Sequence, residues 1–102
     1  MRKSDKKIEN TIRRVLTEVC EQLKENVAGF EWLTHKVDYN NVNQTLTVTL
    51  MFDSFASLRS AKATLKTNDM AKDVASALAK QGIELKNITK QCHFDTDERN
   101  GQ

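Results

Sequence analysis

Apolar residues recur at helical spacing from the start of the chain. Ile8, Ile12, Val15, Leu16, Val19, Leu23 and Val27 fall three or four positions apart, so they share one face of a helix. The pattern predicts a first helix from Ser4 or Asp5 to about Ala28, with either residue as its cap and Gly29 as the left-handed C′ residue that ends it. The period then drops to two. Leu33, His35, Val37 and Tyr39 alternate with Thr34, Lys36, Asp38 and Asn40, predicting a strand. The longest unbroken alternation, Thr45 to Phe52, predicts a second strand. Successive strand side chains point to opposite faces, so Leu46, Val48, Leu50 and Phe52 turn inward, and Thr45, Thr47, Thr49 and Met51 turn toward water. Asn40-Asn41-Val42-Asn43-Gln44 reads as a hairpin turn, because Asn tolerates left-handed backbone angles.

Helical spacing returns after Phe52. Asp53 or Ser54 can cap a helix with Phe55, Leu58 and Leu65 inward; Thr67-Asn68-Asp69 interrupts it. Asn68 or Asp69 caps the next helix, which places Met70, Val74, Ala77 and Leu78 inward and ends at Gly82. Ile83 and Leu85 lead into a last strand in which Ile88, Cys92 and Phe94 share a face. The chain is therefore expected to form an α+β, two-layer domain of order α-β-β-α-α-β, a three-stranded sheet with helices on one face. A crossover that lays the third strand beside the first predicts the strand order 2-1-3. One domain is expected over residues 1–94, followed by an acidic, polar tail at 95–102 that lacks apolar anchors and should be mobile.

Composition narrows the class. The chain has 102 residues, 38% of them hydrophobic and 29% charged, which suits a globular domain with a well-solvated surface. No apolar run approaches the ~20 residues of a membrane span, so a cytoplasmic protein without a membrane partner is expected. Cys20 and Cys92 lack a C-x-x-C spacing and read as free thiols. Net charge is only +2, but its distribution is uneven. Residues 1–14 carry Arg2, Lys3, Lys6, Lys7, Arg13 and Arg14 against Asp5 and Glu9; residues 54–80 carry Arg59, Lys62, Lys66, Lys72 and Lys80 against Asp69 and Asp73. Lys6 and Lys7 oppose the dipole of the first helix, and Arg59, Lys62 and Lys66 form an i, i+3, i+7 row.

The helix, two strands, interrupted helix and final strand over residues 5–95 resemble the KH-like fold, and within it the ribosome-binding factor A family of small ribosome-assembly proteins. The resemblance implies docking on RNA. Lys66-Thr67-Asn68-Asp69 stands where that superfamily carries a GxxG loop or related kink, so contact by shape and phosphate is implied rather than base reading. The segments 1–7, Leu16-Thr17-Glu18-Val19-Cys20, Trp32-Leu33-Thr34-His35 and Phe94-Asp95-Thr96 are similar to a family of short bacterial proteins of uncharacterised role, some labelled Fis-type transcriptional regulators. That second resemblance implies no established activity.

Catalytic chemistry is not expected. His35 lies on the apolar side of the first strand and His93 on the opposite parity from Cys92, so a His/Cys metal site would need side chains that do not converge, and no nucleophile motif accompanies Cys92, His35 and Asp38. No metal or cofactor is expected. Phe30 and Trp32 read as a pair that closes the core below the end of the first helix. The leading expectation is a non-enzymatic domain that binds RNA, DNA or another polyanion through Arg2, Lys3, Lys6, Lys7, Arg13, Arg14, Arg59, Lys62 and Lys66. The alternative is a protein-interaction or homodimerisation module that uses the open sheet face or an edge strand.

Overall fold

The computed structural model describes residues 3–96, with side chains from Asp5 onward. The helical stripe forms α1, Lys3–Asn26, and every member of it from Ile12 to Val27 is buried. Asp5 lies in its first turn, where a carboxylate complements the helix dipole. Gly29 follows the helix with φ +85°, the left-handed value its position demands. A Cβ here would also overlap the Ser57 side chain, and the Gly29 carbonyl accepts from the Asp53 amide at 2.8 Å. The end of α1 is thereby fastened to the start of the next helical segment.

Strand β1, Phe30–Lys36, begins three residues earlier than the alternation predicts and stops at Lys36. It pairs antiparallel with β2, Thr47–Phe52, through Leu33 opposite Leu50, Thr34 opposite Thr49 and His35 opposite Val48, with a register shift between Phe30 and Trp32. The expected Asn-rich hairpin turn is instead one helical turn, α2, Val42–Thr45. Thr45 Oγ1 closes this connection by donating to carbonyls, while also accepting from the Asp38 amide at 2.9 Å. Thr45 therefore leaves the strand it was assigned to.

Helix α3, Phe55–Ala63, is capped by Ser54, whose side chain accepts from the Ser57 amide at 3.1 Å. The break before α4, Lys66–Ala79, falls at Thr64-Leu65, not at Thr67-Asn68-Asp69. Leu65 takes a left-handed conformation, φ 62° and ψ 16°, and is 63% exposed rather than inward. Asn68 and Asp69 lie inside α4 and do not cap it. The hydrophobic spacing carries across the break because Leu58 and Ala61 of α3 and Thr67, Met70, Val74 and Leu78 of α4 are all buried. Gly82, φ +82°, follows α4 as predicted.

No strand starts at Ile83. A loop and a one-turn helix, α5, Ile88–Gln91, capped by Asn87, precede β3, Cys92–Thr96. β3 runs parallel to β2 and beside it, with Val48 opposite Cys92 and Leu50 opposite Phe94. The order is therefore β1-β2-β3, not 2-1-3. β2 takes the centre because it is the strand with most to bury: Val48, Leu50, Met51 and Phe52 are at most 5% exposed. Asp95 and Thr96, assigned to the tail by sequence, are the last residues of β3, and Thr96 is buried; the rest of that tail lies outside the described residues.

The core fills one side of the sheet. Leu46, Val48, Leu50 and Phe52 pack with Ile12, Leu16, Val19 and Leu23 of α1 and with Met70, Val74 and Leu78 of α4. Phe30 meets Phe52 edge to face, with ring centroids 5.9 Å apart. The two-layer α+β arrangement stands, with its threonines on the uncovered side.

Candidate nucleic-acid interface and the free sheet edges

The expected basic residues fall into three separate places. Lys6, Lys7 and Arg14, with Asn10 and Thr11 between them, line one shallow groove on the N-terminal half of α1, and no carboxylate among the described residues lines it. Spacings of three, four, seven and eight bring these residues to one side of the helix. Arg14 is steadied by donating from Nη2 to Gln81 Oε1 at 3.3 Å, just beyond the end of α4. Lys7 and Thr11 also border a second cleft, shared with Asn43, Gln81 and Ile83.

Arg13 leaves this group. It lies on the opposite flank of α1, donating from Nη2 to Glu9 Oε1 at 3.0 Å in an exposed i,i+4 pair. That flank overlooks β1, where half-burial of His35, reinforced by the Arg13 charge and opposed by Glu9, lowers the imidazole pKa below its ordinary 6.5.

The second basic segment sits elsewhere. Lys66 lines a cleft with Val27 and Ala28, at the C-terminal end of α1, and with Ala56, Ser57, Ser60, Ala61 and Thr64. Lys7 and Val27 are twenty residues apart on one helix axis, or roughly 30 Å at 1.5 Å per residue. The two surpluses do not merge. The left-handed turn at Leu65 also breaks the i, i+3, i+7 row: Arg59 and Lys62 belong to α3 and Lys66 to α4. Arg2 lies outside the described residues, as does the side chain of Lys3.

The register sorts the remaining candidates by face. His35 and Cys92 lie on the helix side with Val48 between them, and His93 lies on the uncovered side opposite Thr49. Among the described residues no three His, Cys, Asp or Glu side chains are grouped to hold a metal ion. Burial pushes the Cys92 thiol up to about 11, which keeps it protonated at neutral pH and unreactive as a nucleophile. Trp32 departs from the core-closing role expected of it: it pairs with Met51 across the uncovered face and is 41% exposed.

Two features had no sequence signal. Gln91, 5% exposed, donates from Nε2 to the carbonyls of Asn43 and Leu46 at 2.9 and 3.0 Å and accepts the Asn87 amide on Oε1 at 2.6 Å, tying the α2 loop to the entry of β3. Grooves also run along both sheet edges: one of about 380 Å³ between α1 and β1, the other of about 450 Å³ between α4 and β3, with Cys92, Phe94 and Ile88 among its lining. No helix among the described residues is long and apolar enough to cross a membrane.

Comparison with known proteins adds no relative: no family model matches the chain, and neither a curated protein nor a solved structure does.

Proposed function

We propose that this is a non-enzymatic binding domain that docks on a polyanion, structured RNA above all, through the face of α1 that carries Lys6, Lys7 and Arg14. The observation that supports the reading is their convergence on one exposed, carboxylate-free groove. Three cations there face water with no acidic group of the described residues lining the groove, and Asn10 and Thr11 add neutral hydrogen-bonding groups to the same surface. Such a surface gains affinity by releasing the counterions of a phosphate backbone. The KH-like element order points the same way. Without a glycine loop at the α3–α4 break, binding proceeds by shape and phosphate contact rather than by reading bases. Lys66, in the cleft at the far end of α1, forms a secondary contact for a ligand long enough to span the helix.

Fluorescence anisotropy with a labelled RNA stem-loop and a DNA duplex, at low and at physiological salt, tests this. Affinity should fall steeply with salt. Each lost phosphate contact removes about 0.9 from the slope of log affinity against log salt on a duplex, so combined Lys6→Gln, Lys7→Gln and Arg14→Gln should flatten it by roughly 2 to 3. Arg13→Gln, on the other flank, should leave the slope nearly unchanged. Absence of binding at low salt would overturn the reading.

A further inference from the structure

We infer that the cleft beside the Lys6, Lys7 and Arg14 groove holds one unpaired nucleobase of the bound RNA, so that the protein favours a stem with a bulged nucleotide over an uninterrupted one. The inference rests on the polyanion reading and adds to it the kind of RNA. The cleft, of about 340 Å³, lies where α1, α2 and the turn after α4 meet. Ile8, Val42 and Ile83 give it apolar walls, one from each of these segments, and the side-chain amides of Asn43 and Gln81 stand among them.

Those walls are fixed by bonds within the protein. The Ile83 amide donates to the Leu78 carbonyl at 3.0 Å. Asn43 accepts the Glu84 amide on Oδ1 at 3.2 Å, while its carbonyl accepts Gln91 Nε2 at 2.9 Å and the Lys86 amide at 3.3 Å. Gln81 Oε1 accepts from Arg14 Nη2 at 3.3 Å. A cleft formed in advance loses little entropy when it is filled.

The chemistry of the lining selects the occupant. Both amide oxygens are engaged, so the NH2 is what each side chain offers a ligand; Lys7 adds an ammonium, and no carboxylate among the described residues lines the cleft. The ligand must therefore bring acceptors together with an apolar face. A carboxylate side chain would satisfy the donors and leave the apolar walls empty. Every nucleobase combines a planar face with acceptor atoms on its edge. Position supplies the rest of the argument: Lys7 and Thr11, about one turn apart, line both this cleft and the phosphate groove. A backbone phosphate at Lys7 thus brings its own base to the mouth of the cleft. Inside a duplex that base is stacked and paired, whereas an unpaired one turns out at low cost. The volume is at the small end of the roughly 300–1,000 Å³ of ligand clefts, which suits one ring system and not a run of bases. Apolar walls accept the face of any base, so the cleft detects that a nucleotide is unpaired without identifying it.

Fluorescence anisotropy with three labelled RNA hairpins that differ at one site tests this: one carries a bulged adenosine, one an abasic residue in its place, and one an uninterrupted stem. The bulged adenosine should raise affinity about tenfold over the other two, the effect of burying one base. Because the abasic change is made in the RNA, this comparison does not depend on the folding of any variant. Ile8→Ala combined with Val42→Ala, checked for folding by circular dichroism, should erase the preference and leave affinity for the uninterrupted hairpin unchanged. Lys6→Gln, Lys7→Gln and Arg14→Gln together should weaken binding to all three. Salt-dependent binding of equal strength to the three hairpins would overturn this inference and leave the polyanion reading standing; no binding to any of them at low salt would overturn both. Displacement of the bulged hairpin by adenosine monophosphate at a comparable concentration would also overturn it, by assigning the cleft to a free nucleotide.

Discussion

At the scale of single residues the two left-handed glycines carry unequal constraints. Gly29 and Gly82 have nearly the same φ, +85° and +82°, but a Cβ on Gly29 would overlap Ser57, whereas nothing lies within 4 Å of one on Gly82. Gly82→Ala should therefore cost about 1 kcal/mol, the ordinary penalty of a left-handed residue with a side chain. Gly29→Ala adds overpacking against α3 and should cost roughly 2 to 4 kcal/mol, as urea midpoints of the two variants would report. Both glycines were legible in the sequence as helix terminators. Their difference was not, since it depends on a side chain twenty-eight positions away, from Gly29 to Ser57. Gln91 was silent for the same reason: its three hydrogen-bond partners include carbonyls more than forty residues distant.

Among elements, the α3–α4 break is the instructive one. Periodicity located an interruption but set it two residues late, because Thr67, Asn68 and Asp69 are common cap residues and Leu65 is apolar at an inward position of the preceding register. The helices resolve the conflict by turning at Leu65, which surrenders its burial and adopts φ 62°. A leucine in that region costs about 1–2 kcal/mol, and at 63% exposure its side chain returns little. Leu65→Gly should therefore raise stability by roughly 0.5 to 1 kcal/mol, the strain relieved exceeding the added chain entropy of the unfolded state. A shift of the urea midpoint to lower concentration would show that Leu65 makes a compensating contact. The short helices α2 and α5 escape pattern reading altogether, since four residues contain barely one period.

For the whole molecule, the decisive feature is a sheet with one covered face. Val48 is fully buried beneath the helices, and its neighbour Thr47 points to the uncovered side. Val48→Asp should unfold the domain by placing an unpaired charge in the core, at a cost of several kcal/mol, whereas Thr47→Asp should cost less than about 1 kcal/mol. Equal urea midpoints for the two variants would contradict the two-layer arrangement. Whole-molecule geometry also redistributes the charge. Of the nine basic residues that look like two runs in sequence, Lys6, Lys7 and Arg14 line a groove at one end of α1, Arg13 pairs with Glu9 on its β1 flank, and Lys66 lines a cleft roughly 30 Å away.

The sequence by itself determined the helical stripe of α1, the inward set Val48, Leu50 and Phe52 of β2, the glycine ends of α1 and α4, and the α+β class. All of these follow from local periodicity and backbone preference, which act over a few residues. Strand order, the neighbours of Arg13 and Arg14, the exposure of Trp32 and Leu65 and the clasp at Gln91 were decided only by tertiary structure. Alternation reports which way a strand's side chains point but not where the strand lies in its sheet, and charge runs report abundance but not direction. Lateral position is set by competition among strands for the most buried place, and β2, whose Val48, Leu50, Met51 and Phe52 are at most 5% exposed, takes it and leaves β1 and β3 as the edges.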